Sequence, residues 1–157
     1  MTKSIELWKM ISKNCSSDKQ KMYYEKRIED AFECYCVRLS DVFTKEEIKK
    51  IKDYVRPQQK MCYMNAYRMT SLFPDRVKYV EGEVTLMKSF GIEHAWNLID
   101  DRYYVDVTME LALNSSELCE QEYTGLGKYN VETIGKIANE TGVYGGVYNF
   151  IEFGRLL

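Results

Sequence analysis

Three side chains in this sequence have the types and the order needed for thiol chemistry: Cys62, His94, which is the only histidine in 157 residues, and Asp106. A thiolate can attack a carbonyl carbon, an imidazole can take and return the proton, and a carboxylate on the ring's other nitrogen fixes its tautomer and orientation. Cys62 stands at the head of a helical pattern, where unpaired backbone N–H groups and the positive end of the helix dipole favour thiolate over thiol. Each residue alone has a plainer reading. A free cysteine commonly packs as a small hydrophobe, a histidine before Ala-Trp is commonly a packed strand residue, and an aspartate before Val-Thr commonly satisfies local backbone groups. Their joint occurrence, in this order and within residues 62–106, is what points to chemistry.

The elements that would position them follow from periodicity. Residues 61–72 place Cys62, Asn65, Ala66 and Met69 at helical spacing along one side. Residues 77–87 are β-branched and aromatic, a strand in which Gly82 marks a bulge or a close backbone approach. Residues 92–99 and 102–108 read as two short strands joined at Asp100-Asp101 in an antiparallel hairpin. A turn centred there pairs Asp106 with Ala95 and His94 with Val107, whereas a shift of one residue sets His94 directly opposite Asp106. Both registers remain open at this point.

Upstream, Ile5, Leu7, Trp8 and Ile11 suit an amphipathic helix over residues 3–13, and Met22, Tyr23, Ile28, Phe32 and Tyr35 suit a longer one over 19–39. Cys34 and Cys36 fall inside that second helix and point in different directions, as core or surface thiols. Thr44 and Glu47 form a capping box for a helix ending near Tyr54, and Arg56-Pro57 breaks it. Downstream, residues 109–128 have weak periodicity, with Gly125-Leu126-Gly127 marking a loop in an irregular stretch. A helix from Asn130 or Thr133 stops at Thr141-Gly142. The aromatic, β-branched run over residues 143–153 reads as a final strand.

Composition narrows the function classes. A formal charge of −2 argues against broad binding to nucleic-acid phosphates. No apolar run approaches the ~18–20 residues of a membrane span, and MTKSIELWKMISK lacks the apolar core of a signal peptide, so the expectation is a cytoplasmic protein without a membrane partner. The five cysteines, at 15, 34, 36, 62 and 119, show no CxxC pair, and one histidine with scattered thiols makes no usual zinc set. Neither GxGxxG nor GxxxxGK[ST] occurs, so no metal or nucleotide cofactor is expected. Glu81, Glu83 and Glu93 read first as solvated strand charges and second as selectors of a basic or amide-bearing substrate.

Cys62-Tyr63-Met64-Asn65-Ala66, then Tyr79-Val80-Glu81-Gly82, then His94-Ala95-Trp96-Asn97, then Val105-Asp106-Val107-Thr108 resembles the core of transglutaminase-like and papain-like cysteine enzymes. The match covers about a third of the chain, and H-A-W followed by D-x-T is its most specific part. The resemblance implies Cys62 as nucleophile, His94 as general base and acid, and Asp106 as the orienting carboxylate. It implies an oxyanion role for Gln58 or Gln59, which lie closer upstream than the glutamine of papain itself does, and the Cys62 backbone N–H is the safer donor. Where many relatives have a proline between the aspartate and the threonine, this chain has Val107. Trp96 and Asn97 are candidates for the cleft lining, with Trp96 more readily placed in a core.

The expected fold is α+β and papain-like or transglutaminase-like: one domain over residues 1–157, with a helical N-terminal part to residue 57 and a catalytic core from 58, the helices packed on an antiparallel sheet of about four strands. The expected function is cysteine-dependent acyl transfer on an amide or peptide bond of a protein or peptide substrate, of protease, isopeptidase, deamidase or transglutaminase type, in a bacterial or phage protein. The alternative is a non-catalytic effector or inhibitor that grips a protein partner on the same fold.

Overall fold

A computed structural model describes residues 1–86, 90–114 and 121–155. Helices α1 (Lys3–Asn14) and α2 (Asp18–Asp30) each begin where a hydroxyl accepts a first-turn amide, Thr2 for Ile5 N and Ser17 for Gln20 N. Helix α3 (Lys45–Tyr54) carries the expected capping box, with Thr44 Oγ1 accepting from Glu47 N and Glu47 accepting from Thr44 N. Helix α4 (Cys62–Leu72) follows the break at Arg56-Pro57. Helix α5 (Val131–Thr141) is capped by Asn130 and ends at Gly142 with φ 75°, a left-handed position that glycine takes without strain.

The sheet is antiparallel and five-stranded, in the order β1 (Phe32–Cys34), β5 (Glu122–Tyr129), β2 (Val77–Leu86), β3 (Phe90–Ile99), β4 (Tyr103–Val105). It curls until its two edges meet, where Cys36 bridges Tyr104 and Val37 N donates to Tyr104 O at 2.8 Å. Alternation then decides what goes where. Val80, Val84, Trp96, Leu98 and Tyr123 point into the curl with Cys34, Cys36 and Met109. Tyr79, Ala95, Val77 and Ile99 point outward under α3, α4 and α5. Each large apolar side chain buried this way contributes ~1.5–3 kcal/mol.

Four expectations are corrected. The second helix stops at Asp30 rather than near residue 39, and the N-terminal part includes strand β1, because Phe32 and Cys34 gain more by closing the curl than by extending a helix of mostly exposed residues. The supposedly irregular stretch contains β5, paired on both sides, so the sheet has five strands rather than four. The supposed last strand is helix α6 (Val147–Phe153), started by Val147 N and Tyr148 N donating to the Glu81 carboxylate. The hairpin takes neither proposed register: Asn97 pairs with Val105 and Ile99 with Tyr103, and β4 ends at Val105. Met87, Lys88, Ser89 and Cys119 lie outside the described residues.

The bulge expected at Gly82 is present, with a register shift between β2 and β5 at Glu81/Gly82. A β-carbon on Gly82 would run into the Thr124 carbonyl oxygen and lie 2.9 Å from Gly125 Cα, so only glycine lets the two backbones meet there.

Candidate active site

The observed hairpin register, not the expected ones, brings the histidine and the aspartate together. With Asn97 opposite Val105, Asp106 falls on the same sheet face as His94, offset along the strand by one diagonal step. His94 Nε2 lies 2.7 Å from Asp106 Oδ2. Both side chains are buried, the aspartate fully.

Asp106 is held from three directions. Besides the imidazole, Tyr123 OH donates to Oδ2 at 2.8 Å and Met109 N donates to Oδ1 at 3.1 Å. The last of these bonds starts a single turn of π-helix, Thr108–Ala112, whose entry is marked by Glu110 N donating to Asp106 O at 3.0 Å. The D-V-T sequence therefore works without a proline between Asp and Thr: Asp106 caps a wide helical turn, and Val107 is free to sit in the core below α4.

Cys62 reaches this pair from the other side. β4 pairs only with Asn97–Ile99, so among the described residues no strand pairs with β3 beyond Asn97 on that side, and α4 packs against both β3 and the π turn. Asn65 joins the two, with Nδ2 donating to Thr108 Oγ1 at 2.9 Å. The same side chain clamps the approach loop, accepting from Gln58 N at 3.2 Å and donating to Gln58 O at 2.9 Å. Asn65 is fully buried. Sequence reasoning placed it only on a helix face; its position three residues after Cys62, as the one amide in an otherwise apolar stripe, was the available signal.

The loop itself is conformationally demanding. Arg56 (φ 47°) and Lys60 (φ 64°) both hold left-handed backbone, at a cost of ~1–3 kcal/mol each, and Met61 enters α4 without a side-chain cap. The first amides of α4 are thus left to face whatever lies beside the half-buried Cys62.

The electrostatics couple the three groups. Burial disfavours a charged imidazole, but the charge and hydrogen bond of Asp106, joined by the hydrogen bond and charge of Cys62, raise the His94 pKa from 6.5 to about 10. With Nε2 on Asp106, Nδ1 is the ring nitrogen left for the sulfur. Tyr123 is pushed well above its ordinary value by burial and then by the Asp106 charge, so it stays a donor to the carboxylate. The arrangement holds a proton on the ring between a sulfur and a carboxylate.

The other candidates part company from this cluster. Trp96 is fully buried inside the curl, stacked against the imidazole with centroids 6.1 Å apart, and supports the ring from within. Asn97 is fully buried on the opposite face and ties α4 to the sheet, its Nδ2 donating to Ala66 O at 3.0 Å and Lys78 O at 3.2 Å. Gln59 Nε2 donates to Ala112 O at 3.4 Å, and Gln58 has an exposed side chain on a clamped backbone. The three glutamates are engaged structurally: Glu81 caps α6, while Glu83 at 2.7 Å and Glu93 at 3.2 Å bond Arg27. Arg27 is itself buried, with its guanidinium 4.4 Å above the Trp8 ring. Among the described residues no three His, Cys, Asp or Glu side chains converge to hold a metal ion.

No protein-family model matches this chain, and comparison with curated proteins and with solved structures likewise finds no match.

Proposed function

We propose that the protein is a cysteine-dependent acyl-transfer enzyme of papain-like or transglutaminase-like construction, with Cys62 as nucleophile, His94 as general base and acid, and Asp106 as the orienting carboxylate. The observation that carries this reading is the His94 Nε2–Asp106 Oδ2 contact of 2.7 Å on a ring that also meets the Cys62 thiol at the start of an uncapped helix. A structural cysteine in a core needs none of these partners.

The chemistry follows from the placement. The Cys62 sulfur, its proton already held on His94, attacks an amide carbonyl carbon, forming the S–C bond. The negative charge on the carbonyl oxygen develops beside the Cys62 backbone N–H and the open end of α4, which stabilise it. His94 then protonates the leaving nitrogen as the C–N bond breaks, and a thioester remains. Water or an amine attacks the thioester with its proton passing to His94, which releases the acyl group and returns the thiolate. Asp106 holds the imidazolium in both halves of the cycle.

The test is a burst experiment with an activated ester. A p-nitrophenyl acyl ester should release one equivalent of nitrophenolate rapidly per chain, as sulfur displaces it, and the intact mass should carry the acyl group on Cys62 until hydroxylamine removes it. Cys62→Ser and His94→Ala should both lose the burst. A burst that survives in either variant removes the basis of the proposal.

A further inference from the structure

Asp106 Oδ2 takes two partners at once. His94 Nε2 lies 2.7 Å from it and Tyr123 OH donates to it at 2.8 Å, while Oδ1 takes the Met109 amide at 3.1 Å. Capping the π turn needs only Met109 N, and orienting the imidazole needs only Nε2. Neither task calls for a buried phenol on the very oxygen that the ring uses.

The closed sheet is what delivers that phenol. Tyr123 stands on β5, opposite Cys34 of β1 on one side and Val84 of β2 on the other. The sheet edges meet at Cys36 and Tyr104, and this closure carries Asp106, two residues past Tyr104, back over the Tyr123 hydroxyl. The tyrosine ring is 1% exposed and set edge-on against Trp96 with centroids 5.0 Å apart, so the hydroxyl is fixed in direction. Cys36, packed with Tyr123 inside the curl, hydrogen-bonds the same hydroxyl. A phenol has one proton and the carboxylate receives it, so the Cys36 thiol can only donate to the phenol oxygen. The result is a buried chain from Cys36 through Tyr123 and Asp106 to His94, in which each hydrogen bond polarises the next. Among the described residues the titratable groups that meet the imidazole or stand one step behind it are Asp106, Cys62, Tyr123, Cys36 and Glu110; Gly82, opposite it on β2, brings none.

We propose that Tyr123 is a positioning residue that keeps His94 acidic enough to expel an amine. The proposal rests on the acyl-transfer reading of Cys62 and names the substrate class for it, an amide whose nitrogen leaves only with a proton. The phenol O–H dipole points its positive end at Oδ2, the atom that faces the imidazolium, and so weakens the hold of the carboxylate on the ring proton. That restraint matters because, against burial, which disfavours the charged ring, Asp106 and Cys62 raise its pKa to about 10. As the tetrahedral adduct collapses, the C–N bond breaks with its electron pair going to nitrogen, Nδ1–H passes its proton to that nitrogen, and the ring is left neutral. A ring that held its proton more tightly would slow this step. It would leave untouched the expulsion of nitrophenolate, which departs as an anion.

Tyr123→Phe keeps the ring and deletes the donor. Its single imidazole resonance, followed by NMR, should hold the proton to higher pH than in the unmutated chain, the direction opposite to that of removing the carboxylate. A fluorotyrosine at position 123, which retains the hydrogen bond and is a stronger donor of nearly the same size, should move the titration to lower pH. With p-nitroacetanilide and p-nitrophenyl acetate, which deliver the same acetyl group, Tyr123→Phe should slow anilide cleavage about ten-fold or more and leave the ester burst within about two-fold. A merely structural role would slow both alike. Equal slowing of the two, or an imidazole that titrates at or below the unmutated value in Tyr123→Phe, overturns the proposal. A labelling pattern in which iodoacetamide fails to single out Cys62 refutes the acyl-transfer reading instead, and the titration still decides whether Tyr123 loosens the ring's hold on its proton.

Discussion

Asp106→Asn keeps the shape of the side chain but removes its charge and puts an amide donor where Oδ2 accepts from Tyr123 OH and meets His94 Nε2. Asparagine is nearly the same shape and can still accept from Met109 N through its oxygen, but it removes the negative charge that favours a protonated His94. Raising a group from 6.5 to about 10 corresponds to about 5 kcal/mol of preference for the charged ring, supplied by Asp106 first and Cys62 second against the opposing effect of burial. Without the carboxylate, burial prevails and the ring should titrate below 6.5. The chain has one histidine, so one imidazole resonance followed by NMR from acid to alkaline pH reads the effect without assignment. Stability should follow with a definite sign. A group whose pKa is raised on folding contributes fully below its unfolded value and loses that contribution as pH climbs through its folded one. This histidine should therefore cost the unmutated protein up to about 5 kcal/mol of unfolding free energy between pH 6.5 and 10, a loss the variant lacks. At neutral pH the variant's reaction with an acyl ester should slow by ~10²–10⁴-fold, the scale of general acid–base catalysis. An imidazole that titrates near 6.5 in the unmutated chain, or one that does not move in the variant, refutes the coupling.

Other substitutions probe the supports. Asn65→Ala leaves Gln58 N and O and the Thr108 hydroxyl without their partner, and should cost ~1–3 kcal/mol in urea unfolding while slowing acylation of Cys62; unchanged acylation would show that the approach loop does not depend on the clamp. Gly82→Ala forces β2 and β5 apart at the bulge and should destabilise by at least the ~1–3 kcal/mol typical of overpacking, read as a lower thermal midpoint. Arg27→Ala strips the buried counter-charge from Glu83 and Glu93 and should cost ~3–5 kcal/mol; a loss under ~1 kcal/mol would mean that solvent already screens the group.

The sequence carried the cluster better than it carried the sheet, for a physical reason. Cys62, His94 and Asp106 lie within 45 residues, each on an element with a strong local signal: a helix start, a β-branched run and a strand end. The Thr44–Glu47 box and the Asn130 and Gly142 caps were legible because capping is settled within four residues. Strands β1 and β5 were not. Phe32 and Cys34 sit at spacings that also suit a helix, and Gly125-Leu126-Gly127 resembles a loop until β2 and β1 pair with it from distant parts of the chain. Helix α6 depends on a carboxylate 66 residues away, Glu81, to satisfy its first amide, which no local pattern could reveal. The hairpin register was missed because Asp100 and Asp101, both at φ 54°, and the Arg102 N to Ile99 O bond hold a loop one residue longer than a two-residue turn.

The most direct test of the account is site-resolved alkylation at neutral pH. With limiting iodoacetamide and peptide mass spectrometry, Cys62 should react well ahead of Cys15, which is likewise half-buried and whose thiol donates to the carbonyl oxygens of Ser12 and Ser17, and His94→Ala should bring Cys62 down to the rate of Cys15. Similar rates at the two cysteines, or a Cys62 rate untouched by His94→Ala, would contradict the claim that the imidazole serves the sulfur.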